Sequence, residues 1–276
     1  MHERLVPGLY IVATPIGNLS DLSPRAASVL ASADLIAAED SRVTARLLAH
    51  VGAKRPMIAY HDHNADQVRP SLIARMADQA VALVSDAGTP LISDPGYKLV
   101  RDARAAGRNV VSIPGPCAAV AALTLAGLPT DRFLFLGFLP AKTAARKTAL
   151  DEVKQVRATL IVYESAARLG TTLAALAAVL GHRDAAVVRE ISKKFEETVT
   201  GSLDELARRY ADSPPKGEIV IVIGPPVDAE PASDEQLDKA LRAAMRSMTA
   251  SRAAAHVAAQ LGLPRRRVYD RAMALK

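Results

Sequence analysis

The sequence predicts an α/β protein that ends in a small helical domain. In the first half of the chain, short apolar runs rich in β-branched residues alternate with helical patterns. That alternation is typical of a largely parallel sheet with helices on its faces. A second region of strands and helices follows, and the residues after 233 have the pattern of about three helices. A chain of 276 residues exceeds the usual size of one domain, which agrees with this division.

The first region contains five strand patterns, each followed by a helical pattern. Its first helix has Ser23 at the N-cap position and Pro24 at the first helical position, and both residue types are favoured there. The predicted strands are 8–14, 35–38, 58–60, 81–84 and 110–113. The predicted helices are 24–33, 43–50, 65–78, 97–106 and 117–126, and a sixth strand follows at 133–138.

A basic, alanine-rich connection at 140–147 marks the expected start of the second region. Its predicted strands are 159–163, 186–188, 198–200 and 218–223, and its predicted helices are 146–155, 166–180 and 203–210. A segment that contains proline and few apolar residues, 225–233, precedes the tail. We therefore predict domains at 1–139, 140–228 and 234–276.

The composition excludes several classes of protein. Cys117 is the one cysteine, so an intrachain disulfide and a cysteine-rich metal site are excluded, and a reducing compartment is expected. The longest strongly apolar stretch, 117–128, is shorter than the ~20 residues of a membrane span. The first residues lack the pattern of a secretory signal. We expect a cytoplasmic protein that does not associate with membranes.

Most of the positive charge lies in the tail. Residues 234–276 contain nine Lys or Arg against four Asp or Glu, an excess of five in a chain whose net charge is +6. The pattern of the tail resembles a helix-turn-helix, with Gly262 ending one helix and Arg265, Arg266 and Arg267 starting the next. This favours contact with nucleic-acid phosphates over the alternative, a helical cap whose arginines are only solvated.

Polar clusters that contain glycine or proline follow the predicted strands at 15–17, 39–42, 61–64, 86–90 and 114–116. In a parallel sheet such strand ends meet at one edge, where open α/β sheets bind ligands. Gly88 lets the backbone approach a ligand closely, and Pro90 stiffens the same loop. The alternative for the central loop is a β-to-α connection without a ligand.

Several common sites have no support. The sequence contains neither a phosphate-binding P-loop motif nor a Gly-x-Gly-x-x-Gly motif after a strand. His61 and His63 alternate as metal ligands do, but no convincing third ligand accompanies them, and we expect no metal. Cys117 has no neighbouring base in the sequence, which disfavours a nucleophilic role.

Eight sequence motifs follow one another along the chain. They are YIVATPIGNL at 10–19, EDSR at 39–42, HDHN at 61–64, SDAGTPLISDPG at 85–96, IPGP at 113–116, GFLP at 137–140, YES at 163–165, and RE at 189–190 with Lys193 and the EE pair at 196–197. Together and in this order they resemble the motifs of the ribosomal small subunit methyltransferase I family. These bacterial enzymes 2′-O-methylate a cytidine of 16S rRNA and belong to the tetrapyrrole-methylase-like class of S-adenosylmethionine enzymes. Two residues depart from the expected pattern, since Ser41 stands in place of Thr and Cys117 in place of Ser.

The resemblance implies a two-lobed tetrapyrrole-methylase-like fold with a mixed or parallel sheet in each lobe, a C-terminal helix-turn-helix-like domain, and a homodimer. The methyl donor, S-adenosylmethionine, is expected between the lobes. The expected donor contacts are Pro15, Ile16, Gly17, Asp86, Ala87, Gly88, Thr89, Pro90, Ile92, Ser93, Asp94, Gly115, Pro116, Tyr163, Glu164, Gly217 and Ile219.

The candidates for a base or for groups that orient the substrate are Asp40, Arg42, His61, Asn64, Glu190 and Lys193. The alternative for Glu190 and Lys193 is an ordinary surface pair. The alternative for Asp40 and Arg42 is an ion pair that stabilises the loop. Positioning can lower the barrier by ~7–11 kcal/mol, more than a base typically supplies, so a sharply defined base is not required. The expected rRNA phosphate contacts are Arg42, Lys142, Arg146, Lys147, Arg265, Arg266 and Arg267.

Two other functions stay open from the sequence. A methyltransferase of the same fold could act on a tetrapyrrole, although a small macrocycle has no use for a basic helical tail. The third possibility is an RNA- or DNA-binding protein that retains the fold without catalysis. The primary expectation is an enzyme whose partner is the 16S rRNA of the small ribosomal subunit.

Overall fold

A computed structural model describes residues 4–212, 215–226, 233–261 and 263–275. The chain divides into two compact units, Met1–Pro226 and Val227–Lys276. The first unit contains both sheets, and the second is described below as the helical unit. The predicted helix break at Gly262 lies outside the described residues, as does most of the predicted linker at 225–233.

The first sheet is entirely parallel, with the strand order β3-β2-β4-β1-β5. Its central strands are buried and its helices cover both faces, as the continuous apolar patterns of parallel strands predict. The strands are β1 (Gly8–Val12), β2 (Leu35–Ala38), β3 (Met57–Ala59), β4 (Ala80–Val84) and β5 (Val110–Ile113). The helices are α1 (Pro24–Ser32), α2 (Ser41–His50), α3 (Ala65–Arg75), α4 (Tyr97–Ala105) and α5 (Ala118–Leu125).

The second sheet is mixed, with the strand order β6-β7-β10-β8-β9, in which only β6 and β7 are parallel. Its strands are β6 (Phe133–Phe138), β7 (Thr159–Ser165), β8 (Asp184–Arg189), β9 (Glu197–Ser202) and β10 (Glu218–Ile223). Its helices are α6 (Thr143–Val153), α7 (Leu169–Leu180) and α8 (Leu203–Arg209). The placement of strand 133–138 before a boundary at 140 needs correction, because β6 pairs with β7 and not with the first sheet. A strand pattern does not specify the sheet that a strand joins.

Helix α5 joins the two sheets. It follows β5 of the first sheet, yet its small buried residues Ala119, Ala122 and Leu123 pack against Ile161 and Val220 of the second. The other face of the second sheet packs against α6, α7 and α8. Small side chains let α5 approach the sheet closely, so that the loops of both sheets hold a fixed separation.

The helical unit consists of α9 (Asp234–Ala244), α10 (Ala250–Leu261) and α11 (Arg265–Ala274). Helix α9 begins with a capping box between Ser233 and Gln236. The unit has its own core, which includes Leu237, Leu241, Val257 and Val268. The three predicted helices are therefore present.

Enlarging a buried residue of α5 should destabilise the protein. Ala122 is fully buried against the second sheet, so Ala122→Leu should overpack this contact and lower the free energy of unfolding by about 1–3 kcal/mol. Val120→Leu is the matched control, because Val120 lies on the same helix and is 49% exposed. Urea denaturation of both variants measures the difference, and equal midpoints would show that α5 is not tightly packed.

Candidate functional site

A cavity of about 430 Å³ lies where the loops of the two sheets meet. Ligand pockets for small molecules commonly have this size. The first sheet supplies residues after β2 and β4 and at the start of α5, and the second supplies the ends of β6 and β7 and the start of β10. The lining residues are Ile16, Glu39, Asp86, Ala87, Gly88, Thr89, Ile92, Ser93, Asp94, Cys117, Ala118, Phe138, Tyr163, Glu164, Ser165, Ala166, Ile191, Gly217, Glu218, Ile219 and Val220.

The loop after β4 forms one wall of the cavity in a constrained conformation. Gly88 has a φ of +85° and exchanges backbone hydrogen bonds with Thr14 (2.9 and 3.1 Å). The Thr89 hydroxyl donates to the Pro116 carbonyl (2.9 Å). Leu91 and Ser93 also have positive φ values, which non-glycine residues rarely adopt outside functional sites. Because its own N–H and carbonyl are paired, Gly88 offers a ligand close approach and no free backbone group.

Three carboxylates stand together at this wall. The Asp86 carboxylate accepts a hydrogen bond from the Asp40 N–H (3.0 Å), and the Glu39 carboxylate accepts one from the Asp86 N–H (3.2 Å). Burial, together with the charges of Glu39 and Asp86, raises the pKa of Asp94 to about 6. Burial also raises the pKa of Glu39. This concentration of negative charge complements a cationic ligand.

Aromatic rings form the opposite wall. The Tyr163 hydroxyl accepts a hydrogen bond from the Ala119 N–H (3.0 Å), which links β7 to the start of α5. The rings of Phe135 and Phe138 meet Tyr163 edge to face, with centroids 4.9 and 5.7 Å away. Burial raises the pKa of Tyr163, so the phenol stays neutral at physiological pH. Phe138 is 59% exposed and presents an apolar surface at the cavity.

Two predicted donor contacts line the cavity with their backbone. The side chain of Ile219 belongs to the core on the far face of the sheet. The Glu164 carboxylate lies on the same face and is occupied there, since it accepts hydrogen bonds from the Ser165 N–H (2.8 Å) and the Thr172 hydroxyl (2.6 Å) and pairs with Arg168 (3.3 Å). Directly opposed residues of an antiparallel pair face the same side, which explains why both point away.

The loop between β8 and β9 reaches from the second sheet to the first. Lys193 donates to Glu190 (3.0 Å) and Glu218 (2.7 Å). A Cβ on Gly17 would clash with the Lys193 side chain, and the Ser192 hydroxyl contacts the Asp21 carboxylate. The Lys193 hydrogen bond lowers the pKa of Glu190. Burial alone would lower the pKa of Lys193. The hydrogen bonds to Glu218 and Glu190 outweigh the effect of burial, so the pKa of Lys193 is raised. Lys193 therefore bridges two carboxylates, which a simple surface pair does not.

Three of the other four catalytic candidates, Asp40, Arg42 and Asn64, have local partners for their side chains, whereas the Nδ1 atom of His61 is buried without a hydrogen-bond partner among the described residues. Asp40 is the N-cap of α2 and pairs with the exposed Arg42 (2.6 Å), whose hydrogen bond lowers the pKa of Asp40 to about 2. The Asn64 amide accepts from the His61 N–H (2.9 Å) and donates to the Ala59 carbonyl (2.9 Å). The alternative of a loop-stabilising pair therefore describes the contacts of Asp40 and Arg42.

Twelve predicted donor contacts line the cavity, and five lie beside it. The five are Pro15, Gly17, Pro90, Gly115 and Pro116, and none of the six catalytic candidates is in the lining either. Gly115 is required by packing, since a Cβ there would lie 2.9 Å from that of Ala13. The lining residues that sequence reasoning missed are Glu39, Cys117, Ala118, Phe138, Ser165, Ala166, Ile191, Glu218 and Val220. Glu39, Phe138 and Ser165 stood inside quoted motifs, which was a usable signal.

The structure divides the basic candidates. Arg146 is 7% exposed, which contradicts its prediction as a phosphate contact. It shares a face of α6 with Leu150, four residues later, and that spacing indicates a buried position. Lys142 and Lys147 are exposed, and Lys147 pairs with Asp151 (2.7 Å). Arg265, Arg266 and Arg267 are exposed at the start of α11, with Arg267 paired to Asp234 (3.1 Å).

Two other kinds of site are absent from the described part of the chain. Within it, no group of three or more His, Cys, Asp or Glu side chains could hold a metal ion. None of its helices is both long and apolar enough to cross a membrane.

Two family models match separate stretches of the chain. Residues 8–207 match the family model of tetrapyrrole (corrin/porphyrin) methylases, and residues 231–276 match that of the RsmI C-terminal HTH domain. Proteins named ribosomal RNA small subunit methyltransferase I are similar over nearly the whole length. The one from Erythrobacter litoralis is 51% identical and covers 99% of this chain and 97% of its own. The one from Mesorhizobium japonicum is 50% identical and covers 99% and 93%.

Solved structures share the fold at lower identity. Uroporphyrin-III C-methyltransferase from Thermus thermophilus is 20% identical, with a TM-score of 0.57 over 79% of this chain and 94% of its own. Another structure of that protein, in complex with S-adenosyl homocysteine, is 21% identical with a TM-score of 0.55, over 79% and 97%. Diphthine synthase is 15% identical with a TM-score of 0.61, over 78% and 89%.

The pKa of Asp94 makes stability depend on pH. The pKa rises from its usual 3.8 to about 6 on folding, so the folded state binds a proton more tightly. Ionisation of Asp94 therefore lowers the free energy of unfolding as pH rises from about 3.8 to about 6, and the full decrease is present above pH 6. Asp94→Asn should be more stable than wild type at pH 8, and the difference should shrink toward pH 4. Urea unfolding across that range measures it, with Asp131→Asn as an exposed control; a difference independent of pH would contradict the shift.

Proposed function

The chain belongs to the ribosomal RNA small subunit methyltransferase I family, within the tetrapyrrole methylases, and on that basis we propose that it methylates rRNA. The proposed reaction transfers the methyl group of S-adenosylmethionine to the ribose 2′-hydroxyl of a cytidine in 16S rRNA. The observation that carries this proposal is the cavity lined by carboxylates from one sheet and aromatic rings from the other. The proposal includes a separate C-terminal domain at 234–276, a homodimer and action in the bacterial cytoplasm.

The residues of the cavity fit the donor. S-adenosylmethionine has a sulfonium cation and an adenine but no phosphate. Glu39, Asp86 and Asp94 would attract the cation, and Phe138 with Tyr163 offers an apolar surface for the adenine. The backbone at Gly217, which has a φ of +101°, lies at the same wall. We propose that the predicted donor residues that line the cavity contact the donor directly. The five predicted residues that do not line it are proposed to stabilise the loops that do.

Bound at this place, the donor supplies an electrophilic methyl group. The 2′-oxygen forms a bond to the methyl carbon while the carbon–sulfur bond breaks, and the hydroxyl proton leaves to solvent or to a base. The chain's main contribution is alignment, which can supply about 7–11 kcal/mol. Glu190 and Lys193 are proposed to orient the ribose from the loop that bridges the sheets, and Asp40, Arg42, His61 and Asn64 to shape the opposite loops.

The helical unit is proposed to bind RNA. Arg265 and Arg266 are exposed at the start of α11 and have no carboxylate partner among the described residues, whereas Arg267 and Arg271 pair with Asp234 and Asp238. Exposed arginines at a helix start suit phosphate groups. A tetrapyrrole substrate would give this basic surface no role, which supports RNA as the substrate.

Labelled donor tests the function directly. Small subunits from a strain without this methyltransferase, incubated with the protein and tritiated S-adenosylmethionine, should acquire label on the 2′-oxygen of one 16S cytidine. Label on a base, or none on rRNA while a tetrapyrrole accepts it, would overturn the proposal.

Substitution of Gly88 tests the donor site. Gly88→Val introduces a side chain at positive φ beside Ile16, which lines the cavity. Donor affinity should fall at least roughly tenfold, or about 1.4 kcal/mol, because the added methyl groups take up ligand space. Gly52→Val is the matched control, because Gly52 has a φ of +66° and open space around it. Both variants should lose stability, but only the first should lose affinity in titration calorimetry. Unchanged affinity of Gly88→Val would remove this loop from the site.

Neutralising the free arginines tests the RNA surface. The double variant Arg265→Gln/Arg266→Gln should bind RNA of any sequence more weakly and reduce the slope of log affinity against log salt by about 2. A control with the same charge change is Lys54→Gln/Arg104→Gln, at exposed positions of the first unit. Filter binding at several salt concentrations measures both, and identical slopes would exclude α11 as a phosphate contact.

A further inference from the structure

Phe195 lies exposed on the loop that bridges the two sheets. The chain has four phenylalanines and no tryptophan, and the side chain of Phe195 is 64% exposed. Its ring has the Lys194 ammonium 5.6 Å from its centre. A ring this exposed gains only a small part of the free energy that full burial within the folded chain would supply.

The loop that carries Phe195 is held rigidly. The Glu196 carboxylate accepts from the Ser192 N–H (2.6 Å), and Arg189 pairs with Glu197 (2.6 Å) at the base of the loop. The Glu196 N–H also donates to the Lys193 carbonyl (3.2 Å), which closes a turn with Phe195 near its tip. Glu190 and Ser192 have φ values of +51° and +64°. Strain of this kind persists where the surroundings fix a conformation that function uses.

The same loop adjoins the cavity. Ile191 lines it, and Lys193 binds Glu218, which also lines it. Phe195 and Lys193 belong to the same β-turn, residues 193–196. Lys193 is neutralised by two carboxylates, whereas no carboxylate among the described residues pairs with Lys194. An aromatic ring and a cation that pairs with no described carboxylate therefore lie together on the loop that adjoins the cavity.

We propose that Phe195 stacks on a nucleobase of the RNA substrate while Lys194 contacts a neighbouring phosphate. This inference rests on the proposed function and identifies where the substrate docks. Single-stranded bases bind proteins by stacking on exposed aromatic rings, since every base has a π-face, and cations beside the ring attract the backbone. Stacking here would hold the target nucleotide over the donor.

The test compares the methylation kinetics of variants in the full-length protein. Phe195→Ala should raise the KM for small subunits roughly 5- to 150-fold, the factor that about 1–3 kcal/mol of base stacking corresponds to. Phe195→Tyr should stay within about threefold of wild type, and Phe195→Leu should not restore the KM. Donor affinity should be unchanged in all three. Phe133→Ala is the matched control, because Phe133 is 49% exposed and lies outside the cavity lining.

The outcomes separate this inference from the function on which it rests. Wild-type protein that labels no rRNA overturns both. Wild-type activity with an unchanged KM for Phe195→Ala overturns the stacking role alone. If Phe195→Ala changes the oligomeric state in light scattering but not the KM, the ring contacts protein and the stacking role is overturned. The same conclusion follows if Phe195→Leu keeps the KM as well as Phe195→Tyr does.

Discussion

The close packing of α5 against the second sheet is the contact on which the geometry of the cavity depends. Helix α5 follows a strand of the first sheet in the chain, but its residues Ala119, Ala122 and Leu123 pack in the core of the second sheet. The hydrogen bond from the Ala119 N–H to the Tyr163 hydroxyl fixes the same contact at the cavity wall. Because interiors are close-packed, this joint leaves the loops of the two sheets little freedom to separate.

The conformation of the loops follows from that constraint. The loop after β4 must turn sharply between the strand end and α4, and it does so with positive φ at Gly88, Leu91 and Ser93. The loop between β8 and β9 has the same feature at Glu190 and Ser192 and crosses to Gly17. Strained backbone therefore occurs on both sides of the cavity, where the surroundings hold it in place.

Much of the architecture could be predicted from local patterns. The strands 35–38, 110–113, 133–138 and 218–223 have the predicted bounds, because short apolar runs are strong local signals, and Pro114 and Gly224 end two of them. The sheet that β6 joins could not be predicted, since pairing depends on how α5 crosses between the sheets. The antiparallel pairing in the second sheet was not specified by the pattern either.

The site could be predicted in part for a similar reason. Loop residues such as Asp86, Thr89 and Ser93 stand in motifs and line the cavity, whereas Ile191 and Val220 line it only because the second sheet faces the first. The opposite side-chain directions of Tyr163 and Glu164 follow from strand alternation once the buried face is known. The burial of Arg146 depends on the packing of α6, although its spacing to Leu150 was a signal.

Hydrogen–deuterium exchange with and without S-adenosylmethionine tests most directly whether both sheets hold one donor. We predict slower exchange in two sets of backbone amides at once, 85–94 of the first sheet and 163–166 with 217–220 of the second. Protection confined to the loops of one sheet, with the other unchanged, would contradict a donor held between them.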